Sequence, residues 1–230
     1  CIRDRLGDVD GMERALIRCP YSSGSLCARA RLVCAASRGD VAAVHHRIGP
    51  VLQTEEDAFW LLRAHVRSND MAGARQVFLE ATQEYASERL YGEMARMVAR
   101  MGHTNEALDI AAQLEGVGIV CTPTTLTYLV QALGRAHLPE RAAALVARQF
   151  ERGTRPALRV YTALMDAYIR VGHYVAAQGI FQWLQTQHDP SLLPDTSAYN
   201  TLLKAHVHKG TPVKHVVQFL LDMRRQRLMP

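Results

Sequence analysis

The sequence predicts an all-α fold: a right-handed superhelical solenoid of about six to seven helix-turn-helix repeats forming one domain over residues 1–230. Three observations carry that reading. Sliding the chain against itself aligns 88–122, ERLYGEMARMVARMGHTNEALDIAAQLEGVGIVCT, with 123–157, PTTLTYLVQALGRAHLPERAAALVARQFERGTRPA, without a gap, so the period is 35 residues. Within each period apolar residues recur at spacings of three and four, the pattern of two amphipathic helices. A hairpin of that kind cannot bury its apolar faces alone, so successive copies must stack.

The units follow in order. RLGDVDGMERALI reads as the back half of a partial unit at 1–24, and SRGDVAAVHHRI supports a short one at 25–54. SNDMAGARQVFLEA matches the second half of the period and places a unit at 55–87. After 88–122 and 123–157, the unit 158–195 adds three residues, mostly in the loop HDPSLLPD, and 196–230 carries one insertion after Gly210. In 158–195 the first helix holds Tyr161, Leu164, Met165 and Tyr168 and ends near Gly172, a residue able to take the left-handed conformation that stops a helix. The second holds Ala176, Ala177, Ile180, Phe181 and Leu184 and is stopped by DPSLLP.

Composition narrows the function classes. With 48% hydrophobic residues the chain can bury a sizeable core, and no apolar run approaches the roughly 18 to 20 residues that cross a bilayer, so a soluble chain with no membrane partner is expected. It begins on Cys1 without a basic-flanked apolar segment and reads as a fragment. Five cysteines without regular spacing make no disulfide framework and fit a reducing compartment. Cys19, Cys27 and Cys34 with His45 and His46 include no CxxC pair, so no metal is expected; Cys27 and Cys34, seven apart, share a helix face and read as core. Gly-rich phosphate loops, Gly-x-Ser-x-Gly and paired carboxylates are all missing, and Asp166 recurs in no other unit. The chain is therefore expected to be no enzyme, with no cofactor and no small-molecule substrate. His103, His137 and His173 fall at inter-helix turns, and Trp60 and Trp183 read as packing residues.

Charge points to a polyanion. The net charge is +5, and residues 196–230 hold six basic residues against Asp222 alone, so the excess sits wholly at the C-terminal end. Position 13 of four consecutive units is Arg67, Arg100, Arg135 and Arg170, spaced 33, 35 and 35 residues apart, and His208 and Lys209 continue the row. A ladder of guanidinium groups on a regular scaffold suits a phosphate backbone. Each of these arginines also closes a helix, where the dipole favours a cation.

The residues resemble a known family. A Tyr, a polar residue and a Leu two further on, Gly near position 15, Ala at 20, Phe near 24 and a closing Gly-x-x-Pro-Asp are similar to pentatricopeptide repeats. AYNTLLKAHVHKG, and VYTALMDAYIRVG followed by LLPD, lie close to that pattern; the likeness covers most of 55–230 and is strongest in the last three units. Tetratricopeptide repeats carry Trp and Leu-Gly together early in the first helix, and no unit here has that combination at that place. The resemblance implies organellar single-stranded RNA binding, about one base per repeat, read by the fifth and last residues of a unit. In 158–195 that pair is Thr162 with Asp195, which in the family's pattern suggests a purine, G foremost. Asn200 opens the next pair, whose closing member falls beyond residue 230. Thr127 with Ala157, Gly92 with Thr122 and Phe59 with Ser87 form no readable pair. The second position, where the family places an aliphatic wedge, holds Glu56, Arg89, Thr124, Arg159 and Ser197. These departures suit recognition of RNA shape and phosphates within a large ribonucleoprotein such as the mitochondrial ribosome, with ribosomal RNA and neighbouring proteins as partners. The expected location is the mitochondrion, or else a plastid. The alternatives are a protein-protein scaffold and a transcript-specific RNA processing or stability factor.

Overall fold

The computed structural model describes residues 25–49, 52–85 and 87–225. The partial unit expected at 1–24, Cys19 and the end of the chain lie outside the described residues, as does the side chain of Cys27. Among the described residues the chain forms twelve α-helices and one short 3-10 turn at Pro190–Leu192, without strands. In chain order the helices are α1 Ser25–Arg38, α2 Val41–Ile48, α3 Glu55–Ser68, α4 Met71–Glu84, α5 Glu88–Met101 and α6 Thr104–Val117. They continue with α7 Pro123–Arg135, α8 Pro139–Glu151, α9 Leu158–Arg170, α10 Tyr174–Gln185, α11 Thr196–Lys209 and α12 Val213–Arg225. No helix is long and apolar enough to cross a membrane. The chain divides into two compact units, Cys1–Met97 and Val98–Pro230.

The turn between the two helices of a hairpin always uses the same backbone state. Gly39, Asn69, Gly102, His137, Gly172 and Gly210 all have φ between 59° and 80°. Four of the six are glycine, the residue that takes this left-handed state without steric cost. Asn69 tolerates it through its short polar side chain, whereas His137, at φ 59°, carries strain.

In the first unit α1 packs on α2 and α3, and α3 on α4. The seam is filled by fully buried Ala36, Val44, Ala58, Leu62, Ala64 and Ala74, and Cys34 is buried as expected. Both second helices are capped by aspartate: Asp40 accepts from Ala43 N at 2.9 Å and Asp70 from Gly73 N at 3.0 Å. Asp70 also pairs with the buried His65 at 2.9 Å, and the Gly73 amide together with this imidazole holds its carboxyl below the usual carboxylate range. Gly73 is needed there, since a Cβ would lie 2.3 Å from the His65 ring.

In the second unit the first helices form one layer, α7 on α9 and α9 on α11, and each also packs on its own second helix. The closest approach is Gly134 against Ala167: a Cβ on Gly134 would come within 2.7 Å of the Ala167 Cβ. A buried polar tie joins successive repeats. The fully buried Gln149 accepts through Oε1 from Cys121 N at 3.0 Å, and Thr154 Oγ1 donates to Cys121 O at 3.0 Å. Further along, the Tyr199 ring stands edge-on to Phe181 at 4.9 Å and beside Phe219 at 5.2 Å, locking α11 between α10 and α12.

Gly134→Val should force α7 and α9 apart and lower the unfolding free energy by about 2 kcal/mol, read from the urea midpoint. His137→Gly should raise it by about 0.5–1 kcal/mol by relieving the left-handed strain, less the extra freedom glycine gains in the unfolded chain.

Candidate nucleic-acid interface

Positions 5, 9 and 13 of a unit lie four residues apart, so they form one row along the first helix, about 6 Å per step. On α7 the row is Thr127, Gln131, Arg135, and on α9 it is Thr162, Asp166, Arg170. Because the first helices pack side by side, these rows lie next to each other. Together with the start of α11 they enclose an open polar groove of about 610 Å³.

This groove brings together Thr127, Thr162, Asp195 and Arg170 of the residues expected from the sequence. It also holds Gln131, Thr201 and Lys204, which the sequence pattern does not single out, together with Arg159 and Asp166. Gln131, Asp166 and Lys204 lie one helical turn beyond position 5 of a unit, and Arg159 is at its second position. Asp166 recurs in no other unit, yet its carboxylate accepts from Arg170 Nε at 2.8 Å and partly neutralises that cation.

The other expected residues lie elsewhere. Asn200 is half-buried on α11 and does not line the groove; the neighbouring Thr201 does. Arg135 and Lys209 are exposed at the ends of α7 and α11, outside the groove lining, and Arg100 is exposed at the end of α5. Arg67, in the first unit, is half-buried.

Local bonding defines what the groove offers. Thr127 Oγ1 donates to Pro123 O at 2.7 Å, Thr162 Oγ1 to Leu158 O at 3.0 Å and Thr201 Oγ1 to Ser197 O at 2.8 Å. With its hydrogen turned back onto the helix, each hydroxyl presents lone pairs outward and acts as an acceptor. Asp195 caps α11, accepting from Ala198 N at 2.9 Å through Oδ1. The floor is thus acceptor-rich, while Arg159, Arg170 and Lys204 bring three cations against the carboxylates of Asp166 and Asp195. Such a surface suits ligands that combine N–H donors with negative charge.

A second groove, about 1140 Å³ and mostly apolar, runs between α8 and α10 over Tyr161 and Leu164. Its walls include Phe150 and Trp183, 49% and 43% exposed, so the expectation that Trp183 is a packing residue holds only for the face against Tyr161, at 5.0 Å. Trp60, in contrast, is buried. Burial raises the Tyr161 phenol above its ordinary pKa. Among the described residues no cluster of three or more metal-ligating side chains occurs.

Comparisons with known proteins follow this geometry. The family model for the PPR repeat matches residues 159–182, which span α9, its turn and most of α10. A chloroplastic pentatricopeptide repeat-containing protein of Arabidopsis thaliana is 33% identical over 102 residues, 44% of this chain and 20% of that protein. A second chloroplastic protein of that description from the same plant is 36% identical over 83 residues, 36% of this chain and 17% of its own length. Among solved structures, the pentatricopeptide repeat protein PPR10 in complex with an 18-nt psaJ RNA element has a TM-score of 0.75 at 16% identity, covering 96% of this chain and 32% of that one. PPR10 from maize gives a TM-score of 0.68 at 18% identity, covering 97% of this chain and 33% of that one. The chain thus spans about a fifth of its matched relatives and a third of the matched structures. The structural likeness shows the fold, stacked helix-turn-helix repeats, and the matched repeat at 159–182 and the sequence relatives show that this chain is similar to pentatricopeptide repeat proteins.

Proposed function

We propose that this chain is a non-catalytic, RNA-binding helical-repeat segment acting in organellar RNA metabolism. The observation that carries the reading is the groove of the second unit, where Thr127, Thr162 and Asp195 offer acceptors beside Arg159, Arg170 and Lys204. An RNA strand supplies both complements: base-edge N–H donors for the floor and phosphates for the cations. Thr162 and Asp195, two acceptors lining one groove, favour a base edge with adjacent donors, which guanine presents. The solved PPR10 complex, with its 18-nt RNA element, supports the class of ligand.

The finer reading is a component of, or factor for, a large ribonucleoprotein such as the mitochondrial ribosome, in contact with ribosomal RNA. Two features support it: most base-reading positions hold no readable pair, and the apolar groove at Phe150 and Trp183 offers a surface to neighbouring proteins. The chloroplastic relatives keep a plastid as the alternative location. The apolar groove is also the observation that favours the second reading, a protein-protein scaffold.

Crosslinking in cells with sequencing of attached RNA, together with sedimentation of the lysate, separates these readings. Ribosomal RNA in fractions that run with ribosomal subunits is the expected result; one transcript site in a light fraction means a transcript-specific factor, and no RNA at all favours the scaffold.

Replacing Arg100, Arg135 and Arg170 together by Ala should weaken binding to every RNA sequence. The slope of log affinity against log salt should flatten by about 2, since each lost single-strand phosphate contact removes about 0.7. An unchanged slope would remove the ladder from the interface. Thr162→Asn replaces an acceptor by an amide that both donates and accepts, so base preference should shift at one nucleotide in a randomised-oligonucleotide selection, with the other positions unaltered.

A further inference from the structure

The apolar groove of the second unit has walls that the packing of this chain does not require. Val146 and Phe150 of α8 stand on one side, Gly179 and Trp183 of α10 on the other, with Tyr161 and Leu164 of α9 as the floor. Gly179 lies inside α10, where glycine costs helix stability relative to alanine, yet a Cβ built there meets nothing within 4 Å. No neighbour demands the missing side chain. Its absence instead leaves room beside Trp183, four residues on along the same helix face. From Tyr174 to Gln185 α10 holds no Asp, Glu, Lys or Arg, the depletion of charge found at the core of an interface.

The polar groups of the groove narrow its occupant. The Trp183 indole N–H and the Tyr161 hydroxyl, on rings 5.0 Å apart, make no hydrogen bond among the described residues. Acceptors beside them are already engaged. Trp183 O accepts from Thr186 Oγ1 at 2.7 Å and from Gln187 Nε2 at 3.1 Å, and Asp189 Oδ1 accepts from Ser191 N at 2.9 Å. Arg155 has its guanidinium 5.2 Å from the centre of the Phe150 ring and makes no ion pair among the described residues. The remaining charge of the lining, Glu151, is exposed at the end of α8.

We propose that this groove binds a proline-rich segment of a partner protein in the polyproline II conformation, with a carboxylate of that segment on Arg155. Such a segment docks in aromatic-lined grooves, is largely formed before binding, and offers backbone carbonyls without proline N–H groups. That inventory complements two unbonded donors between aromatic rings and a cation held against one of them. An amphipathic helix would spend its carbonyls within itself and leave the Trp183 and Tyr161 donors desolvated without partners. The linings of the apolar and polar grooves share Ala157 alone, so peptide and RNA can be held at once, and the assignment does not rest on RNA binding.

The test uses the whole chain and three fluorescein-labelled 12-residue peptides: polyproline with a central glutamate, polyproline with a central lysine, and an amphipathic Ala/Leu helix with the same glutamate. Anisotropy is the readout, and circular dichroism checks folding. The glutamate polyproline should bind tightest and shift tryptophan emission to shorter wavelength through Trp183, since Trp60, the other tryptophan, is buried. Trp183→Ala should lower that affinity by about thirtyfold, the effect of removing an aromatic anchor. Gly179→Leu fills the groove with a good helix former and should abolish binding with the fold intact. Arg155→Gln should cost about threefold and erase the preference for glutamate over lysine. Binding of a labelled U 12-mer should be the same in all three variants. The proposal is overturned if the helical peptide binds as tightly as polyproline, if lysine serves as well as glutamate in the wild-type chain, or if Gly179→Leu binds unchanged. Failure of both polyproline peptides overturns it as well, and loss of U 12-mer binding in Gly179→Leu would then assign the groove to RNA. A wild-type chain that binds polyproline but no RNA upholds this proposal and overturns only the RNA-binding reading.

Discussion

The controlling constraint is that a single helical hairpin of this composition cannot close its own core. Its first helix must lie against the first helix of the next repeat, and in the second unit this is seen as α7 on α9 on α11. The contact at Gly134 and Ala167 brings two of these backbones to a distance at which no added methyl group fits. The common left-handed turn follows from the same demand. Every hairpin must reverse over the same number of residues so that the next copy meets the same face, and six turn residues with φ between 59° and 80° provide that reversal.

Packing first helices side by side has a consequence for their outer edges. One face of each is spent on its own second helix and two flanks on its neighbours, so in the second unit Gln131, Arg135 and Arg170 stay exposed and Thr162 and Asp166 half-buried, whereas Thr127 is buried. The chemistry of this row at positions 5, 9 and 13 is then set locally. The threonines turn their hydrogens back onto the helix and become acceptors, Asp195 is anchored as a cap, and Asp166 moderates Arg170 through an i,i+4 pair. Polar side chains that stabilise helix ends and helix interiors thereby also compose the groove.

The two units use one register for different ends. In the first, position 5 meets position 2 of the following repeat through Arg29 and Glu56, and then through Phe59 and Arg89. In the second, Thr127 and Arg159 stand in those two positions and both line an open groove. The scaffold is periodic, but the groups it displays are not.

The sequence alone determined the helices, their pairing and the place of each turn, because apolar spacing and left-handed turn residues act within one hairpin. It also placed Thr127, Thr162, Asp195 and Arg170 on a common register, which the fold gathers into one groove. Only the tertiary structure decided which neighbours complete that groove. Thr201 rather than Asn200 faces it, Arg67 is half-buried while Arg100, Arg135 and Arg170 are exposed, and Trp183 keeps one face in solvent. These outcomes depend on how far each helix is rotated against a helix some 35 residues away in the chain, and a rotation of a fraction of a turn exchanges adjacent side chains between groove and core. Periodicity encodes the row, and packing between repeats selects its members.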